Sequence, residues 1–98
     1  RRVVFSQSAV SDIDEIWNFL AVESGSEEPA ERVIADLERR IFQLARNPAI
    51  GRLCPEVDPK GRCLVCGKYL VYYRADPRRI RVTRVIHGMR DQRKAWGE

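Results

Sequence analysis

A single histidine, His87, lies within an arginine-rich stretch of this 98-residue chain. Cleaving a phosphodiester by attack of a neighbouring 2′-hydroxyl needs a group to take a proton, a group to give one, and cations to hold the charge developing on the phosphate. His87 with Arg62, Arg81, Arg84 and Arg90 supplies those residue types, so a ribonuclease arrangement is one expectation. The competing expectation is a strand-end histidine satisfied by backbone groups. Cys63-x-x-Cys66 has the spacing of a metal or redox pair. Two residues of opposite parity on one strand point to opposite faces, however, which prevents joint ligation. Adding Cys54 and His87 gives no convergent set, so no metal and no cofactor are expected. The three cysteines read as buried free thiols in a reducing compartment.

Two further groupings point to binding. Tyr69, Tyr72 and Tyr73 next to Arg74 have the interleaved aromatic and basic character of single-strand nucleic-acid binders, although tyrosines also suit a half-buried sheet. Direct nucleic-acid binding therefore stays open on residue types alone. Near the end, Arg90, Arg93, Lys94 and Trp96 form a basic segment carrying one large aromatic. Arginine and tryptophan dominate interface energetics, so these four are candidates for contact with a macromolecular target, the alternative being a tail folded back on the sheet.

The charge is distributed unevenly. Residues 1–59 hold 7 arginines against 11 carboxylates, a net −4, whereas residues 60–98 hold 11 cations against 3 carboxylates, a net +8. A basic half of that kind draws anionic or acidic partners. The length predicts one domain over 1–98, too small for separate cofactor and substrate halves, which makes a metabolic enzyme a poor fit. No apolar run approaches the roughly 20 residues of a bilayer span and the first residues have no signal-like apolar stretch, so a cytoplasmic protein without membrane contact is expected.

The elements that must position these groups follow from periodicity. Val3-Val4-Phe5 reads as a short strand ending at a cap on Ser6 or Ser8. Ala9, Val10, Ile13, Ile16, Trp17 and Leu20 then recur at helical spacing, with Asp12, Asp14 and Glu15 placed outside, until Ser24-Gly25. Pro29 opens a second helix whose stripe runs from Ala30 to Ala45 and stops at Asn47-Pro48. Residues 48–61 hold too many prolines and glycines for regular structure and read as a loop packed by Ile50 and Leu53. Three strands, 62–66, 69–75 and 79–87, follow as an antiparallel meander turned at Gly67-Lys68 and Asp76-Pro77-Arg78. In the last strand Ile80, Val82 and Ile86 are placed on one face and Arg79, Arg81, Thr83 and His87 on the other, with Arg84 left on the apolar side unless a bulge moves it. The expected fold is α/β in the α+β sense, ordered β-α-α-β-β-β. A helical hairpin packs on one face of a small antiparallel sheet, and the other face is left for solvent or a partner.

In that order the residues resemble the ParE branch of the RelE/ParE toxin superfamily. The landmarks are Ser6-x-x-Ala9, Asp12-Ile13-x-x-Ile16-Trp17, Ala30 to Leu37, Asn47-Pro48-x-x-Gly51, Tyr69-x-Val71-x-Tyr73-Arg74, and Ile80-x-Val82-x-Arg84-Val85-Ile86-His87-Gly88-x-Arg90-Asp91. The resemblance implies the toxin of a type II toxin–antitoxin, plasmid-stabilising pair, neutralised by a ParD-like antitoxin and directed at DNA gyrase. Candidate antitoxin contacts are Trp17 and Phe42 on the helices and Arg74 and Arg81 on the sheet. The RelE branch instead cuts messenger RNA on the ribosome, and fold alone does not choose between the two. No lysine-rich catalytic patch like that of RelE falls on the matching segments, since Lys60 and Lys68 stand alone. A third reading is a non-toxic module that kept the fold and binds a partner.

Overall fold

The computed structural model describes residues 1–88. The chain runs through β1 (Arg2–Phe5), α1 (Gln7–Ser24), α2 (Glu28–Gln43), β2 (Arg52–Leu53), β3 (Arg62–Cys66), β4 (Tyr69–Ala75) and β5 (Arg79–His87). Local chemistry sets the helix limits. The Ser6 hydroxyl accepts from the Ala9 N–H at 3.0 Å and donates to the Thr83 carbonyl at 2.8 Å, so one side chain both caps α1 and ties its start to β5. Gly25 closes α1 with φ of 69°, a left-handed conformation that costs glycine nothing. Pro29 sits in the first turn of α2, where its missing N–H has no helical partner to lose. That helix ends about one turn before the expected stop at Asn47-Pro48. The N–H groups of Leu44, Ala45 and Arg46 bond three residues back, and this tightened turn uncouples them from the helix.

The strands form one five-stranded sheet in the order β1-β5-β4-β3-β2. It is mixed rather than purely antiparallel, because β1 pairs parallel to β5, Arg2 opposite Arg79 and Phe5 opposite Val82. The reason is directional. The meander alternates β3, β4, β5, so β5 shares the direction of β3, and β2, antiparallel to β3, carries the chain back after the helices, which leaves β3 and β5 running with β1. The segment expected to be loop contributes β2, which pairs antiparallel with β3 and forms the far edge.

Both helices cover one sheet face, where Ile16, Leu37, Ile41, Leu44, Leu64, Val71, Tyr73, Ile80, Val82 and Val85 pack together. The opposite face is not bare as expected. Cys54, Cys63, Tyr72 and Ile86 form a second cluster there with Val57 and Leu70, so the 48–61 segment lies over part of it. Cys54 and Val57 do that packing, whereas Ile50 and Leu53, 39% and 59% exposed, do not. Cys63 and Cys66 fall in different clusters on opposite faces, as their parity dictates. Burial pushes the thiols of Cys54, Cys63 and Cys66 above the ordinary cysteine value. Iodoacetamide at about pH 8 is therefore expected to label the native protein slowly and the urea-unfolded protein fully, and rapid native labelling would contradict this burial.

The faces of β5 also differ from strict alternation. Tyr72 pairs with Arg84 and Tyr73 with Val82, which leaves Thr83 as an extra residue. Past this bulge it is Val85 that faces the helices, while Ile86 turns to the second cluster. His87 moves as well, from the expected arginine face to the side of Tyr69, whose ring it meets edge to face at 5.5 Å.

Candidate functional site

The bulge sets Arg84 across from Tyr72, yet its guanidinium reaches α1, where Asp12 receives it. Arg84 Nε and Nη2 donate to the two Asp12 carboxylate oxygens at 2.7 and 3.0 Å, and the Val85 N–H donates to Oδ2 at 2.9 Å. Asp12, placed outside by the sequence pattern, is 6% exposed. The buried carboxylate thus has charged and backbone donors together, and it holds the arginine in its cationic form. This pair locks α1 to β5 and fixes how the sheet's basic segment is presented.

The possible ribonuclease set is spread out. Arg62 is level with Tyr73 and Val82 across the sheet, whereas His87 is level with Tyr69 and Cys66. Four residues of β3 separate those levels, about 13 Å at about 3.3 Å per residue. Arg62 donates to the Gly51 carbonyl at 2.7 Å, Arg84 is taken by Asp12, and Arg81 points to the face opposite the helices near Arg74. The geometry brings none of the three to His87 as a free cation. Tyr72 and Tyr73, 3% and 1% exposed, offer no ring face for stacking bases. Burial against the thiol cluster also pushes the Tyr72 hydroxyl up to about 12.

The candidate antitoxin contacts divide between the layers. Arg74 and Arg81 are register partners on the face away from the helices. Phe42, 51% exposed, belongs to the helix layer, where it lines an apolar cleft with Phe5, Val10 and Ile13 below Asp14 and Glu38. Trp17 is half-buried one turn beyond Ile13. A second cleft, of roughly 490 Å³, lies between the helices and the β3–β4 turn; its floor includes Leu20, Val33 and Tyr69 and its rim Arg40 and Lys68. Sequence reasoning missed this cleft, because its cations come from a helix and a turn 28 residues apart that only the sheet brings together. The expected target contacts Arg90, Arg93, Lys94 and Trp96 lie outside the described residues.

At the sheet's other end the arginines gather. Arg2 pairs with Arg79 across β1 and β5, and Arg81 with Arg74 across β5 and β4, all on the face away from the helices. Two carboxylates temper them. Asp58 takes two bonds from Arg74, at 2.6 and 2.9 Å, and Asp76 accepts the N–H groups of Arg78 and Arg79 at 2.7 Å each. The Arg74 guanidinium holds Asp58, and those backbone N–H groups hold Asp76, below the ordinary carboxylate value. A depressed native value adds stability that is present above the unfolded value and lost as pH falls through the native one. The urea midpoint should be flat from about pH 7 to about pH 5 and fall below about pH 4. An Asp58→Asn/Asp76→Asn variant should fall less steeply, and an equal decline would refute the assignment.

A family model described as "ParE toxin of type II toxin-antitoxin system, parDE" matches residues 3–92. The chain is 34% identical over 91 residues to a protein named Toxin ParE1 from Mycobacterium tuberculosis, covering 92% of each chain. It is 27% identical over 92 residues to Toxin ParE1 of Caulobacter vibrioides, covering 94% of each. A solved structure titled "Chromosomal ParDE TA system from P. aeruginosa" superposes with a TM-score of 0.75 at 20% identity, covering 88% of this chain and 94% of that one, and shares its fold. Two helices on a mixed sheet, the landmark residues in order and the match over 3–92 together establish that this chain belongs to the ParE toxin family of type II toxin–antitoxin systems.

Proposed function

We propose that this toxin acts in the cytoplasm by binding DNA gyrase and halting replication, and that a ParD-like antitoxin neutralises it. The observation that favours a binding poison over a nuclease is the dispersal of the expected ribonuclease arginines among the described residues, with Arg84 held by Asp12 and Arg62 bonded to the Gly51 carbonyl about 13 Å along the sheet from the level of His87. General acid–base cleavage of RNA needs those groups within hydrogen-bond reach of one phosphate. Family membership supports an antitoxin partner, and the names of the relatives point the same way. The two clefts and the arginine end suit such a partner. An extended antitoxin tail with apolar anchors would fill the helix-layer clefts, one lined by Phe42 and the other by Leu20 and Val33, with Trp17 as a further contact on α1, and its acidic residues would meet Arg40 and Lys68 or Arg74 and Arg81.

Purified toxin at micromolar concentration should inhibit supercoiling by gyrase or trap cleaved DNA, and should leave in-vitro translation intact. Absence of any gyrase effect rejects the target. His87→Ala separates the RelE-like alternative, because a ribosome-dependent nuclease would lose transcript cleavage with that change whereas a gyrase poison keeps its toxicity.

A further inference from the structure

We infer that the arginine end of the sheet, centred on Arg2, Arg79 and Arg81 with Arg74 and Arg78 beside them, binds the phosphate backbone of duplex DNA directly. Ile80 and Val82 are fully buried under the helices, and Val3 and Phe5 pack against the same core. Alternation then sends Arg79, Arg81 and Arg2 to the opposite face, and Arg74, next to buried Tyr73, joins them. Register puts like charges directly across from one another twice, Arg2 beside Arg79 and Arg81 beside Arg74. Such pairs work against the sheet, so the fold carries a local electrostatic cost here that an external polyanion would relieve. Of the five arginines, Arg74 and Arg79 have carboxylate partners, Asp58 and Asp76; Arg2, Arg78 and Arg81 have none among the described residues.

The character of the patch selects the anion. Its cations are all arginine, whose planar fork fits phosphate oxygens in pairs. Apolar surface is nearly confined to Val4 and Pro77, too little for the buried anchor on which a peptide interface depends. Exposed aromatics for stacking unpaired bases are also missing among the described residues of this face, since Tyr72 and Tyr73 are buried. A rigid, regularly charged backbone is what remains. Three strands span about 10 Å, and a duplex presents one charge per roughly 1.7 Å of its axis, so several phosphates lie within reach of the patch. This inference goes beyond the gyrase reading and does not depend on it, because the binding is tested with DNA alone. An antitoxin laid over Arg74 and Arg81 would compete for the same face.

The test is fluorescence anisotropy of the full chain with a labelled duplex of about 20 base pairs at several salt concentrations, alongside a single-stranded RNA and an acidic peptide of alternating glutamate and alanine. Binding of the duplex is expected, with log affinity falling against log salt at a slope between about −3 and −4, as for about four phosphate contacts. Arg79→Gln and Arg81→Gln should each weaken it several-fold and reduce the slope by about 1. Arg32→Gln, on α2 and paired with Glu28, should leave it unchanged. Unfolding temperatures of the two sheet variants should be equal to or above that of the parent, which excludes misfolding as the cause. The inference is overturned if the duplex does not bind, if the Arg79→Gln/Arg81→Gln double variant binds it as the parent does, or if the RNA or the peptide binds more tightly than the duplex.

Discussion

Replacing Asp12 by alanine is expected to destabilise the protein by about 3–5 kcal/mol, the usual cost of removing one partner from a buried ion pair. The carboxylate receives two bonds from Arg84 and one from the Val85 N–H, and its side chain is 7% exposed against 20% for Arg84. Alanine takes the carboxylate away from two guanidinium N–H groups and from the Val85 amide beside α1. Asp12→Asn keeps the shape and one acceptor oxygen but loses the charge, so it should fall between parent and alanine. Arg84→Met should also destabilise, because it leaves the buried carboxylate with the amide alone. The Asp12→Leu/Arg84→Met double variant should recover most of the loss, since an apolar pair of similar size avoids both desolvation costs; the unpaired Val85 N–H still costs about 1–3 kcal/mol. Urea midpoints of the parent, Asp12→Leu, Arg84→Met and the double variant close the cycle. Additive single effects would show that the pair is not coupled.

Tyr73 carries the second large effect. Its hydroxyl accepts from the Gly51 N–H at 2.9 Å and donates to the Pro48 carbonyl at 2.7 Å, while its ring, 1% exposed, fills the core beneath α2. Tyr73→Phe keeps the ring and leaves two backbone groups without a partner, so a loss of about 1–3 kcal/mol is expected. Tyr73→Ala adds a cavity and should cost about 3–5 kcal/mol in total. Gly51→Ala probes the contact from the other side. A Cβ there would come within 2.6 Å of the Tyr73 hydroxyl and 2.9 Å of the Cys63 carbonyl, and the second of these is backbone that cannot swing away. Hydrogen exchange of the Gly51 amide should accelerate in Tyr73→Phe more than exchange in α1. Uniform acceleration would mean that the hydroxyl does not anchor this loop specifically.

The helices were legible because their apolar periods are long and their stops chemically distinct. Ser6, Gly25 and Pro29 fall where capping and proline geometry demand. The meander was legible from its turns, Gly67-Lys68 and Asp76 to Arg78. Legibility failed where long-range contacts decide. Asp12 sits among Ser11, Ile13 and Asp14, and nothing local marks it as the carboxylate that meets Arg84, 72 residues away. The Thr83 bulge could not be assigned, yet it settles which of Val85 and Ile86 is under the helices and where His87 points. The awkward arginine on an apolar strand face was the signal for both, since it requires either a register slip or a buried partner, and here it has both. β2 escaped notice because two residues between turns carry no period. Among the candidate site residues, adjacency of Arg74 and Arg81 depends on strand register, and the distance between Arg62 and His87 depends on it too.

Inducing the chain in a bacterium, with DNA synthesis, protein synthesis and transcript integrity followed separately, tests the central claim most directly. A gyrase-directed binding poison predicts growth arrest in which DNA synthesis stops first, transcripts stay whole, His87→Ala remains toxic, and co-expressed ParD-like antitoxin restores growth. Early cutting of transcripts with DNA synthesis continuing, or normal growth without antitoxin, would contradict it.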